Sequence, residues 1–222
     1  MRTSSQISSK TPQSPGKRLN RRERHRVETR ERIIRSALRL FAERGLTGTT
    51  IEDITNAADI GKGTFFNYFP SKEHILAHLC QLQMGKIRDF VSRAIESKES
   101  LDRVLYNLAL IVTEEVARNP ALVQNILVPS LSSDSQRQQM ANDMDEDRRI
   151  LAGLMAVRQK RGEIRDDFTA IELALQFQRA LFGTMVLWSL DPSQSLPDCL
   201  KQMSSVLWAG IRAQTPRSRQ SS

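Results

Sequence analysis

An all-α fold of about nine helices is expected for this chain of 222 residues. Apolar residues recur at helical spacing in one segment after another, and no stretch alternates as a half-buried strand does. Turn residues gather in short breaks between those periods. Charge then divides the chain. Residues 1–72 carry 15 Lys and Arg against 7 Asp and Glu, whereas the other 150 carry 18 of each, so the whole formal charge of +8 lies at the amino-terminal end. Such an asymmetry points to a polyanionic partner there, nucleic acid or an anionic membrane surface.

Residues 1–22 offer only Met1, Ile7 and Leu19 for burial and are expected to form a disordered basic arm; residues 214–222 read as a disordered tail. Residues 23–72 should form a three-helix unit and residues 73–213 a second helical bundle. The first helix is expected from about Arg22 to Arg44, with Ile33, Ile34, Ala37, Leu40 and Phe41 on one face and Gly45 as its cap. Arg21, Arg22, Arg24, Arg26, Arg30 and Arg32 crowd its first turns. The second helix carries Ile51, Ile54, Ala57 and Ala58. Its start fits a capping box at Thr49–Glu52, with Thr50–Asp53 as a second candidate. After the turn Asp59-Ile60-Gly61 comes a very short helix, Lys62 to Asn67, stopped by Pro70. Ser71 can cap the next helix, Lys72 to about Ile95.

Longer periods follow: Leu101–Arg118, an apolar run Ala121–Leu131 interrupted by Pro129, Gln136–Arg161, Phe168–Leu190 and Ser195–Ala213. Phe168–Leu190 is apolar nearly all round, too apolar to keep one wet face. Cys80 and Cys199 belong to no metal-binding spacing and are expected to be two buried free thiols. No apolar run approaches bilayer length, and the first twenty residues lack the apolar stretch of a secretory signal, so the chain reads as cytoplasmic, with no membrane partner. His25, His74 and His78 share no ligand spacing and read as surface or local packing. The acidic run Asp143–Asp147, with Met144 inside it, reads as a solvated helix face rather than a cation site. No cofactor or metal is expected, and no nucleophile–base pair or phosphate-binding glycine loop speaks for an enzyme.

Three short helices joined by tight turns outline a helix-turn-helix, in which a small core holds one helix edge-on in the major groove. The expected core is Ile34, Ala37, Phe41, Leu46, Ile54, Ala58, Ile60, Phe65 and Phe69. That leaves Lys62, Gly63, Thr64, Asn67 and Tyr68 to face DNA. Lys62 can meet a phosphate or guanine O6/N7, Gly63 lets the backbone approach a base edge, and Thr64 can meet a phosphate or a thymine methyl. Thr50 and Lys72, like Tyr68, suit backbone phosphates.

The stretch Phe41–Leu76, FAERGLTGTTIEDITNAADIGKGTFFNYFPSKEHIL, closely resembles the DNA-binding domain of the TetR/AcrR family of transcription regulators. That family's pattern runs roughly L-F-x-x-x-G, then T-T-I/V-x-D-I-A-x-A-A-G-V-S-x-G-T-L/F-Y-x-Y/H-F-x-S/T-K-E-x-L. The match spans about fifty residues from Arg30 on. Four departures stand out. Asn56 replaces a small residue, and Asp59 stands where Gly is usual, a position Asp tolerates because it enters the left-handed region. Gly61 replaces a capping Ser. Phe66 replaces a Tyr that often touches phosphate, so Phe66 is assigned to packing.

The resemblance implies a homodimer on an inverted-repeat operator in double-stranded DNA, with a small-molecule effector, apolar or cationic, bound by the carboxy-terminal domain. Pocket candidates are Leu105, Leu108, Val112, Ile126, Met140, Met144, Leu151, Met155, Phe177 and Phe182, although apolar stripes of this kind are ordinarily core. The Met residues suit an adaptable pocket. Dimerisation through the last two helices would use Ala180, Gly183 and Thr184 as a small-residue strip, faced by Leu196, Leu200, Met203, Leu207 and Ile211. Trp188 and Trp208 fit interface anchors or core. A repressor released by its ligand is the leading reading; activation or ligand-independent regulation within the same family is the alternative.

Overall fold

The computed structural model describes residues 20–132 and 134–213, so the arm before residue 20 and the tail from 214 lie outside the described residues. Helix α1 (Arg21–Arg44) starts earlier than its apolar face does. Asn20 Oδ1 accepts from the Glu23 N–H at 2.8 Å and the Glu23 carboxylate accepts from the Asn20 N–H at 2.9 Å, a reciprocal cap. The helix thus begins one residue before the expected start at Arg22. The helix ends at Gly45, whose φ of +72° is where a side chain would be strained.

The following turn is held by polar contacts that the sequence did not announce. Thr49 is fully buried and its hydroxyl donates to the Gly45 carbonyl at 2.8 Å. Lys72 reaches back so that its ammonium donates to the Leu46 and Thr49 carbonyls, each at 2.7 Å. Gly48 is required for closeness: a Cβ there would lie 2.4 Å from the Arg44 carbonyl oxygen. Helix α2 (Ile51–Ala57) is capped by Thr50 and Asp53, not by the preferred pair Thr49–Glu52. The burial of Thr49 decides between the two. Asp59 takes φ +51°, as its place in the turn requires, and α3 (Lys62–Phe66) follows.

Ile33, Ala37, Leu38, Leu40, Phe41, Ile54, Ala58, Phe65 and Phe69 form the buried centre of this unit, with Ile34, Leu46 and Ile60 partly covered around it. Ile33 rather than Ile34 is the innermost of the two adjacent isoleucines. Helix α4 (Glu73–Glu96) belongs to both halves of the molecule. Its Ile75 enters the first core, whereas Ile87, Val91 and Ala94 enter the second. Ser71 is no cap: its hydroxyl donates to Glu73 at 2.5 Å, and no side chain caps α4.

The second half holds α5 (Leu101–Val112), α6 (Glu114–Arg118), a π-helical turn (Val123–Leu127), α7 (Val128–Ser130), α8 (Asp134–Lys160), α9 (Ala170–Leu190) and α10 (Leu196–Ile211). The expected helix Leu101–Arg118 is broken at buried Thr113, whose N–H and hydroxyl both donate to the Ala109 carbonyl. Leu101, Val104, Leu105, Leu108, Leu151, Leu154, Met155, Phe177, Leu181 and Leu200 are packed in one core. Arg158 is buried with them, its guanidinium donating to Glu163 at 2.6 Å and to the Ala94 carbonyl at 3.0 Å. The expectation of two buried thiols is corrected, since Cys80 is exposed and Cys199 is half-covered. Among the described residues no helix is long and apolar enough to cross a membrane.

Candidate nucleic-acid interface

Helix α3 is too short to be stable alone, and its place is set by two rings beneath it. Phe65 is fully buried, Phe69 nearly so, and their centroids lie 6.2 Å apart. Pinning α3 on that side turns Lys62, Gly63 and Asn67 outward, all three exposed, with Thr64 and Tyr68 half-buried at the edges. Nothing lies within 4 Å of where a Cβ would stand on Gly61 or Gly63, so the backbone here is open to close approach. Lys62 pairs with Glu52 of α2 at 2.9 Å, with both side chains more than half exposed. Such a pair is worth about 0–1 kcal/mol, so the lysine transfers readily to a phosphate or base.

The two expected phosphate anchors are engaged otherwise. The Thr50 hydroxyl donates to Asp53 at 2.6 Å and accepts the Asp53 N–H at 3.1 Å, while Lys72 clamps the turn as described. The Thr50 hydroxyl and N–H, aided by Arg44, hold the Asp53 carboxyl below the usual carboxylate range. Phe66 also corrects its assignment: it is 53% exposed, one ring edge on Phe65 and the rest facing solvent beside Gly63. A contact the sequence did not predict links α1 to this surface, the Arg30 guanidinium lying 6.0 Å from the centroid of the Tyr68 ring.

A buried three-helix core that presents one five-residue helix, its outer edge small and polar, defines a helix-turn-helix DNA-binding unit. Residues 33–79, from the apolar half of α1 into α4, match the family model for bacterial regulatory proteins of the tetR family. Over this stretch the chain is similar to that family of DNA-binding transcription regulators. It is 28% identical over 191 residues to the transcriptional repressor KstR2 of Rhodococcus jostii, covering 82% of this chain and 90% of that protein. It is 27% identical to the repressor DhaR of Mycobacterium sp., covering 67% and 76%. Among solved structures the fold is that of FadR from Bacillus subtilis in complex with stearoyl-CoA, with TM-score 0.67 and 22% identity over 82% of this chain and 98% of that one.

The expected effector pocket divides on inspection. Leu105, Leu108, Leu151, Met155 and Phe177 pack together as core. Val112, Met140, Met144 and Phe182 are half-buried. Ile126 is corrected: it packs against the amino-terminal core, on the π-helical turn. The expected dimer face divides as well. Leu200 and Ile211 are buried in the chain's own core and cannot face a second copy, which corrects those two assignments. Ala180, Thr184, Met203 and Leu207 instead line an open groove between α9 and α10, together with Leu187, Trp188 and Val206. Gly183 is half-exposed on α9. Leu187, Leu190 and Val206 are 69%, 66% and 76% exposed, large apolar side chains that the sequence reading passed over. The signal was the all-round apolarity of α9, which required a second buried face without saying which residues formed it. Two of the four acidic residues in that run are ion-paired, Asp145 with Arg148 and Arg149, and Glu146 with Arg88. No group of three His, Cys, Asp or Glu among the described residues could hold a metal ion.

Proposed function

We propose that the chain is a cytoplasmic homodimeric repressor that reads an inverted-repeat operator through Lys62, Gly63, Thr64, Asn67 and Tyr68 and is released by a small, largely apolar effector. The observation that carries this reading is the outward edge of α3, held by Phe65 and Phe69 on a core that α4 shares with the second half. Dimerisation through the exposed apolar faces of α9 and α10 would set the spacing of the two α3 helices against one turn of DNA. Repression is supported by the relatives KstR2 and DhaR, both named as repressors. An apolar effector is supported by stearoyl-CoA in the similarly folded FadR and by the similarly folded KstR2 of Mycobacterium tuberculosis, a ketosteroid transcriptional regulator.

Two physical links carry effector binding to the DNA-reading half. One is α4. The other is the π-helical turn: Gln124 Nε2 donates to the Ser189 carbonyl of α9 at 2.7 Å, and Asn125 Nδ2 donates to the Ala42 carbonyl of α1. A hundredfold release corresponds to about 3 kcal/mol of differential binding. The test is selection of bound duplex from a random pool, followed by footprinting with and without fatty-acyl-CoA and steroid ligands. An inverted repeat should emerge, and Lys62→Ala should weaken it by about tenfold or more, the loss of one base or phosphate contact. Stability should hold, because the Lys62–Glu52 pair is exposed. Unchanged footprints for both Lys62→Ala and Tyr68→Ala would reject this reading surface.

A further inference from the structure

Helix α1 is longer than the domain it supports. Residues 21–28 are all exposed, and burial begins only at Thr29 and Ile33. Two turns of helix therefore stand clear of the core, kept helical by the Asn20–Glu23 cap. At helical spacing the positions 22, 26, 30, 33, 37 and 41 share one side of α1. The last three are Ile33, Ala37 and Phe41, all fully buried in the amino-terminal core. The first three are Arg22, Arg26 and Arg30. The side that packs the core thus continues past the edge of the domain as an arginine stripe. Arg22 and Arg26 have no ion-pair partner among the described residues, whereas Arg88, Arg118, Arg148 and Arg165 are each paired. Arg30 fixes where the stripe points, because its guanidinium lies by the ring of Tyr68 at the end of α3.

We infer that the overhanging stripe of α1 is a second DNA-contacting surface, in which Arg22 and Arg26 hold backbone phosphates beside the bases read by α3. Unpaired guanidiniums on one side of a preformed helix suit phosphate, and they cost little ordering on binding. From Arg30 to Arg22 the helix advances about 12 Å at 1.5 Å per residue, which spans roughly three to four base pairs. The contact carries no base information. It adds affinity for any duplex and lengthens the protected site. The stripe rests on the assignment of Tyr68 to the DNA side, but it is tested without any operator.

The experiment measures duplex affinity against salt for the full chain, Arg22→Gln/Arg26→Gln, and a control, Lys98→Gln/Arg103→Gln, which removes two exposed charges from the second half. Each lost phosphate contact should lower the slope of log affinity against log salt by about 0.9. The stripe variant should therefore lose close to 1.8 of slope on an unrelated duplex and on any selected operator alike. Its melting temperature should not move, since both residues are exposed. Base preferences should stay as they are, and the control should keep the wild-type slope. A slope unchanged from wild type, or lost equally by the control, overturns the inference. So does loss of binding only to vesicles of anionic phosphatidylglycerol with the DNA slope intact. Failure to select any operator would count against the α3 reading, while a slope loss on unrelated duplex would still support the stripe.

Discussion

The two halves of the molecule handle buried polar groups differently. In the amino-terminal unit the turns are closed by reciprocal caps at Asn20–Glu23 and Thr50–Asp53 and by the ammonium of Lys72 on two carbonyls. The second half is larger and has one such reciprocal cap, at Thr169–Glu172. Asp147 Oδ1, Arg158 Nε and Ser204 Oγ are buried there without a hydrogen-bond partner, and its helices are interrupted at Thr113 and by a π-helical turn. Arg30 Nε is the corresponding atom of the first half, and it sits beside the surface assigned to DNA. Buried groups left without partners cost about 1–3 kcal/mol each. A half with several of them is easier to shift between packings than one whose groups are satisfied, which suits a sensor joined to a reader.

The largest effect that would break this contrast is at Phe65. Replacing a fully buried ring by alanine costs about 3–5 kcal/mol, and Phe65→Ala should abolish DNA binding with it. Hydrogen exchange would show accelerated amides in α1–α3, while those of α9 and α10 stay protected. Equal acceleration in both halves would mean that the molecule opens as one unit and that the contrast has no thermodynamic content. A smaller effect is expected at Lys72. Lys72→Met keeps the stem but leaves the Leu46 and Thr49 carbonyls without their donor, at about 1–3 kcal/mol. The midpoint of chemical denaturation followed in the first half should fall, and no change there would reduce Lys72 to a surface charge.

The same contrast explains how much could be read beforehand. The amino-terminal unit was legible because its turns demand particular residues: Gly45 and Asp59 both take positive φ, and Phe65 and Phe69 recur at helical spacing beneath an exposed edge. The choice of cap, Thr49 or Thr50, turned on burial, which local spacing does not encode. In the second half the periods showed helices but not their breaks. Thr113 stops α5 with neither Gly nor Pro, and a π-helical turn shifts the facing residues by one position, which is how Ile126 came to be placed in the wrong half. Helical spacing also says that α10 has an apolar side, yet not that Leu200 and Ile211 face inward while Val206 faces out. The outward edge of α3 was thus readable residue by residue, and the apolar faces of the second half only helix by helix.

The smallest expected effect sharpens the contrast from the side of the second half. On α8, burial pushes the Asp147 carboxyl up to about 6, and Asp143 and Glu146 on the same helix reinforce the shift. The folded state therefore holds the Asp147 proton more tightly than the unfolded chain, whose ordinary value is 3.8. Stability from this group is present below about pH 4 and is lost as pH rises through 6. Full linkage would give about 3 kcal/mol, and partial solvent access reduces it to roughly 1–2 kcal/mol. Asp147→Asn should accordingly be more stable than the wild type at pH 7.5, with the difference vanishing as the pH approaches 4. Urea midpoints at the two pH values check this. Identical midpoints at pH 7.5 would show that Asp147 is well solvated and would remove one of the misfits from the second half. A gain accompanied by weaker effector-induced release of DNA would tie that misfit to the switching of α4.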